Sequence, residues 1–268
     1  MRVRLDEYSW PEIRDLLEQD PTVVVPVGAT EQHGHHLPLQ VDATLCTEVS
    51  MRAARRATDS GQTTLVAPAI SVGYSPHHMD FPGSLTVSSA TFTAVVTDIS
   101  VSLHRHGFKR IVLVNGHGGN ANLLRAATQS LRFEQGVEIS AASYWDLALD
   151  LITAWRRSPL GGINHACEME TSLMLAVRPD LVRMQHAEDV MPDAHPYRGF
   201  DLTHGGSVAS ASAFSELTRT GAIGAPTFAD GERGAELLDS IVEAVAKYLV
   251  EGVAGGARST ATSQVRSD

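Results

Sequence analysis

The chain has 268 residues, 43% hydrophobic and 19% charged, enough to bury one sizeable α/β core and too apolar to be disordered. A formal net charge of −10 argues against a nucleic-acid partner and suits a small neutral or cationic substrate. No run approaches the roughly 18 apolar residues of a membrane span, and the first residues lack the apolar core of a secretory signal. A cytoplasmic protein without membrane contact is expected, and two cysteines, Cys46 and Cys167, cannot make a disulfide framework.

In chain order, residues 10–19 read as a helix and 22–28 (TVVVPVG) as the first buried strand. Gly28-Ala29-Thr30-Glu31-Gln32-His33-Gly34-His35-His36 follows directly. In an extended segment side chains two apart point the same way, so Glu31 and His33 can converge on one spot. Asp42 precedes a helical pattern over 43–58, where it could equally serve as an N-cap. A second strand is predicted over 64–72, then a loop with His77, His78 and Asp80, then a helix over 89–106.

The third strand, 110–115 (RIVLVN), runs straight into Asn115-Gly116-His117-Gly118-Gly119-Asn120 and a helix over 121–134. Those glycines at a helix start could alternatively cradle a phosphate. A fourth strand over 137–144 and a helix over 146–157 follow. His165-Ala166-Cys167-Glu168-Met169-Glu170 then opens an apolar helix over 168–177, where both glutamates also suit a first turn. Residues 181–231 read as long irregular loops, 234–251 as a last helix, and 253–268 as a frayed tail behind a single domain over 1–252. Strand–helix alternation predicts a layered α/β/α fold with a mainly parallel central sheet and ligands beyond the carboxyl ends of its strands.

Glu31, His33, Asp42, His117 and Glu168 then make two imidazoles and three carboxylates. That set is too nitrogen-rich for Ca²⁺ or Mg²⁺ and lacks thiolates, so it suits Zn²⁺ or Mn²⁺. Three carboxylates carry enough charge for two divalent ions about 3.5–4 Å apart, with one carboxylate bridging. Each residue taken singly has a structural reading. Together, several acidic and imidazole clusters fall at strand ends and helix starts.

The stretches VPVGATEQHGHHLPLQVD, GYSPHHMDFPGSLTVS, VLVNGHGGN and HACEMETSLMLAV resemble the creatininase (creatinine amidohydrolase) family, from about Trp10 to Val250. The resemblance implies a binuclear Zn²⁺/Mn²⁺ site and a ring-like homohexamer. Glu31, Asp42 and His117 would hold one ion, and His33, Asp42 and Glu168 the other, with Asp42 bridging. His165 matches the family histidine that passes a proton to the leaving nitrogen, with Glu170 as the alternative donor. Gly119 stands where creatininase itself has a metal-binding glutamate, so Glu168 is expected to fill that vacancy, which counts against creatinine as the substrate. Gln32 and His36 would support the ligands, while His77, His78, Asp80 and Gly118 would lie near substrate. Trp145 and Trp155 fall in the region where creatininase carries tryptophans on a mobile loop. The expected activity is hydrolysis of a C–N bond in a small cyclic amide, lactam or formamide by a metal-bridging hydroxide. The rivals are cleavage of a C–C bond in a cyclic ketone and a non-catalytic metal-binding protein.

Overall fold

The structure, a computed structural model, describes residues 2–253, so the expected tail lies, but for Val253, outside the described residues. Strands β1 (Thr22–Val27), β2 (Thr64–Val66), β3 (Arg110–Asn115) and β4 (Ile139–Ser143) form one parallel sheet in the order β2-β1-β3-β4. Helices α1 (Trp10–Leu17), α2 (Val41–Asp59), α3 (Ser89–Arg105), α4 (Ala121–Gln135), α5 (Leu149–Trp155), α6 (Glu168–Val177), α7 (Phe214–Leu217) and α8 (Gly231–Lys247) surround it.

Strand side chains alternate between two cores. Val24, Val66, Val112 and Val114 pack with Leu45 and Val49 of α2, Leu173 of α6 and Ile241 of α8. Val23, Val25, Leu65, Ile111 and Leu113 pack with Phe92 and Val96 of α3 and with Leu124 and Leu131 of α4. Both faces are covered, which is why the strands read as unbroken Val/Ile runs rather than alternating ones. The layered α/β/α architecture is the one the sequence predicts.

β2 is shorter than expected. After Val66, Ala67 N still donates to Val24 O at 2.8 Å and Ile70 N to Pro26 O at 3.0 Å, but Pro68 has no N–H to continue a regular ladder. Pro26 lies in a central strand at little cost, because its missing donor faces this irregular stretch.

From β1 the chain crosses to β2 on one side, whereas β3 lies on the other. β1 and β3 thus flank the switch point of the sheet, with Val27 opposite Asn115 at their carboxyl ends. Two glycines let α2 press onto this spot. A Cβ on Gly28 would lie 2.6 Å from Ala43 N, and one on Gly116 would lie 2.7 Å from Asp42 O. Asp42 is therefore brought over the strand ends. It is not an N-cap: Gln40 holds that position and Asp42 lies in the first turn.

Candidate metal centre

Beyond the ends of β1 and β3, four of the five residues expected as ligands converge. Asp42 Oδ1 lies 3.1 Å from His33 Nε2, and its Oδ2 lies 3.2 Å from His117 Nδ1. Glu31 Oε1 is 3.2 Å from His117 Nδ1 and 3.1 Å from His78 Nε2. Glu31 and His33 are fully buried, and Asp42 and His117 nearly so. The imidazoles are aimed through their far nitrogens. His33 Nδ1 sits 3.2 Å from Glu31 O, and His117 Nε2 sits 3.1 Å from Tyr74 O, so in the neutral rings it is the nitrogens facing Asp42 that carry the lone pairs. Asn115 clamps the loop itself, donating to His117 O at 2.7 Å and accepting from His117 N at 3.2 Å. Asn120 pins the same loop to Gly28 O at 3.1 Å and accepts from Tyr74 N at 2.9 Å.

The electrostatics call for a cation. Glu31 Oε1 and Oε2 and Asp42 Oδ2 are buried without a hydrogen-bond partner, a costly arrangement for carboxylates. Burial works against charge on His33, yet Asp42 and Glu170 lift it well above the ordinary imidazole value. Burial likewise opposes charge on His117, but Glu31 and Asp42 push it up to about 10. Burial would raise Glu31 too, but His117 and His78 hold it well below the usual carboxylate range. Negative potential on a hard/borderline N,O donor set fits a divalent ion such as Zn²⁺ or Mn²⁺.

The third glutamate differs from the expectation. Glu168 lies outside the cluster: its carboxylate accepts from Arg157 N at 3.0 Å and Ser158 N at 2.9 Å, with Arg233 Nη1 at 3.9 Å. Saturated by these donors, it fastens the 157–158 segment to the start of α6. Glu170 is the residue that joins His33 and Asp42, its Oε1 lying 3.8 Å from His33 Nε2 and its Oε2 accepting from Ala166 N at 2.6 Å. Ala166 takes the left-handed φ of +52°, the sharp turn that separates His165 from the helix.

A cavity of about 190 Å³ opens over the centre, bordered by Gly118, His165, Trp145 and Phe214 among others. His165 is buried, and that burial together with His33 and His78 holds it well below the ordinary imidazole value. His77 stacks on His117 with centroids 5.6 Å apart; burial and its histidine neighbours lower it to about 4. His36 is tied to Thr171 of α6 at 2.9 Å, and burial lowers it to about 4. Asp80 is exposed and bonds Ser215 instead of the cavity, anchoring α7. Trp155 lies away, donating to Arg233 O at 3.0 Å. Cys46 and Cys167 are buried, and burial raises both thiols, so neither is a poised nucleophile.

Two residues had no signal in local pattern. Phe214 covers His78 and His165, with centroids 4.1 and 4.9 Å away. Asp201, inside the stretch read as loop, accepts from Arg156 Nη1 and Nη2 (3.0 and 2.9 Å), Gly161 N (2.7 Å) and Thr203 N (2.9 Å). A lone aromatic and a lone aspartate in irregular chain carry no periodicity that could have marked them.

The profile of the family described as Creatininase: Creatinine amidohydrolase matches residues 6–249. A creatinine amidohydrolase of Pseudomonas putida is 33% identical over 266 residues, covering 93% of this chain and 96% of that one. A mycofactocin precursor peptide peptidase of Mycobacterium ulcerans (strain Agy99) is 31% identical over 238 residues, covering 85% and 86%. A solved structure described as Creatininase Mn superposes with a TM-score of 0.78 at 32% identity, covering 94% of this chain and 99% of that one.

Proposed function

The chain belongs to the creatininase family and is a hydrolase, and from that premise we propose a binuclear metal-dependent amidohydrolase acting on a small cyclic amide, lactam or formamide. The observation that carries this reading is Asp42, whose two oxygens face His33 on one side and His117 on the other. Glu31, Asp42 and His117 would hold one Zn²⁺ or Mn²⁺ ion, and His33, Asp42 and Glu170 the second. Glu170 thus takes the role that sequence gave to Glu168. Bound there, the ions would polarise a substrate carbonyl and lower the pKa of water towards about 7.

The remaining work falls to the chain itself. His165 is anchored through Nε2 to Gln32 O at 2.8 Å, so Nδ1 is the atom that takes a proton and passes it to the departing nitrogen. Phe214 and Trp145 border the cavity and would shield the reacting atoms from bulk water. At about 190 Å³ the cavity is smaller than the roughly 300–1,000 Å³ of drug-sized sites, which suits a small ring. We also propose one folding unit over 1–252, assembled as a homohexamer in the cytoplasm; among the described residues no helix is long and apolar enough to cross a membrane.

The test is metal analysis of wild type, Asp42→Ala and His117→Ala after loading, with a screen of cyclic amides, lactams and formamides. Loss of metal in both variants and turnover in the wild type are expected. Undiminished metal in both variants would sink the site, and metal binding without turnover of any amide would sink the reaction.

A further inference from the structure

Between Glu31 and His33 stands a buried amide, Gln32, whose orientation the backbone fixes. Oε1 accepts from Gly34 N at 2.9 Å, and Nε2 donates to Gly221 O at 2.9 Å, so the two ends of the amide cannot be exchanged. Gly221 has φ +87°, and a side chain there would collide with Gln32. The second amide hydrogen points at His78 Nδ1, 2.8 Å away. That nitrogen must accept, so the single hydrogen of the His78 ring sits on Nε2. His78 Nε2 is buried without a hydrogen-bond partner, in a ring that borders the cavity.

Gln32 acts on His165 through its main chain. His165 Nε2 lies 2.8 Å from Gln32 O, which can only accept, so Nε2 carries the hydrogen and Nδ1 keeps its lone pair. Gln32 Nε2 also lies 3.1 Å from His165 Nε2, but both amide hydrogens are already committed to Gly221 and His78. The two rings have centroids 4.7 Å apart. Their inward nitrogens, His78 Nε2 and His165 Nδ1, approach the same Glu31 oxygen at 3.1 and 3.8 Å.

We propose that Gln32 is a positioning residue that holds two neighbouring imidazoles in opposite roles around one Glu31 oxygen, His78 as an N–H donor and His165 as a lone-pair acceptor. That His165 uses this lone pair in the reaction rests on the amidohydrolase reading; the proton positions do not.

Neutron diffraction from deuterium-exchanged crystals of the full chain, metal-free and metal-loaded, tests it. Deuterium is expected on Nε2 of both His78 and His165; deuterium on Nδ1 of either overturns the proposal. In Gln32→Glu the amide donor is gone, so the His78 proton should move to Nδ1 while His165, held by an unchanged carbonyl, stays as it was. An unmoved His78 proton overturns the role of Gln32. Proton positions as expected without turnover of any amide would uphold the sorting and fail the amidohydrolase reading alone.

Discussion

At the ends of β1 and β3, Glu31 and Asp42 face imidazoles and keep buried oxygens without a hydrogen-bond partner. A short way along the fold, Glu168 and Asp201 are just as buried, yet backbone N–H groups and Arg156 fill their oxygens. The first pair costs about 1–3 kcal/mol for each unmade bond, and a cation can offset that. The second pair needs nothing further. Burial of a carboxylate therefore says little about function; what its oxygens face says much more.

Glu170 and Glu168, two residues apart, set the contrast at its sharpest. Glu170→Gln should lower activity by 10³-fold or more (order of magnitude) and release metal, whereas Glu168→Ala should keep its metal. Equal metal loss in the two variants would erase the distinction. Asp201→Ala, which removes the carboxylate partner of the largely buried Arg156 side chain, should cost about 3–5 kcal/mol in denaturant unfolding, with metal retained. Glu168→Ala should cost about 1–3 kcal/mol by the same measurement.

Acid separates the groups further. Burial works to raise the Asp201 pKa, but hydrogen bonds from Arg156 and Thr203 hold it below the usual range. With the folded value below the unfolded one, its stabilisation is fully present above about pH 3.9 and is lost as pH falls through the folded value. Asp201→Asn should flatten that acid-side loss of stability in a pH series of melting curves; a slope parallel to wild type contradicts it. The smallest effect expected is a rise in KM of roughly fivefold or less for Ser215→Ala, which frees α7 from Asp80 at the cost of one hydrogen bond.

The sheet was legible because buried parallel strands leave unbroken apolar runs: 110–115 matches β3 residue for residue, and 22–28 overshoots β1 by one. β2 was overdrawn because periodicity does not register the lost N–H of Pro68. Glu31, His33, Asp42 and His117 could be read from their place at strand ends and a helix start. Glu168 and Glu170 could not be told apart, since residues two apart on a helix face different ways and only the roll of α6 decides which faces the sheet. Asp201 and Phe214 act through contacts far away in sequence, which no local pattern reveals.

The proposed ligands come from four separate pieces of the chain: the segment after β1, the first turn of α2, the loop after β3 and α6. An ion gripped by all of them would act as a removable cross-link in a protein whose cysteines are both free. Chelation should then register in the whole unfolding transition, by about 2.7 kcal/mol when free metal stood at a hundred times its dissociation constant. The cluster proposed to prime a reaction would then also serve as the rivet between sheet and helical layer.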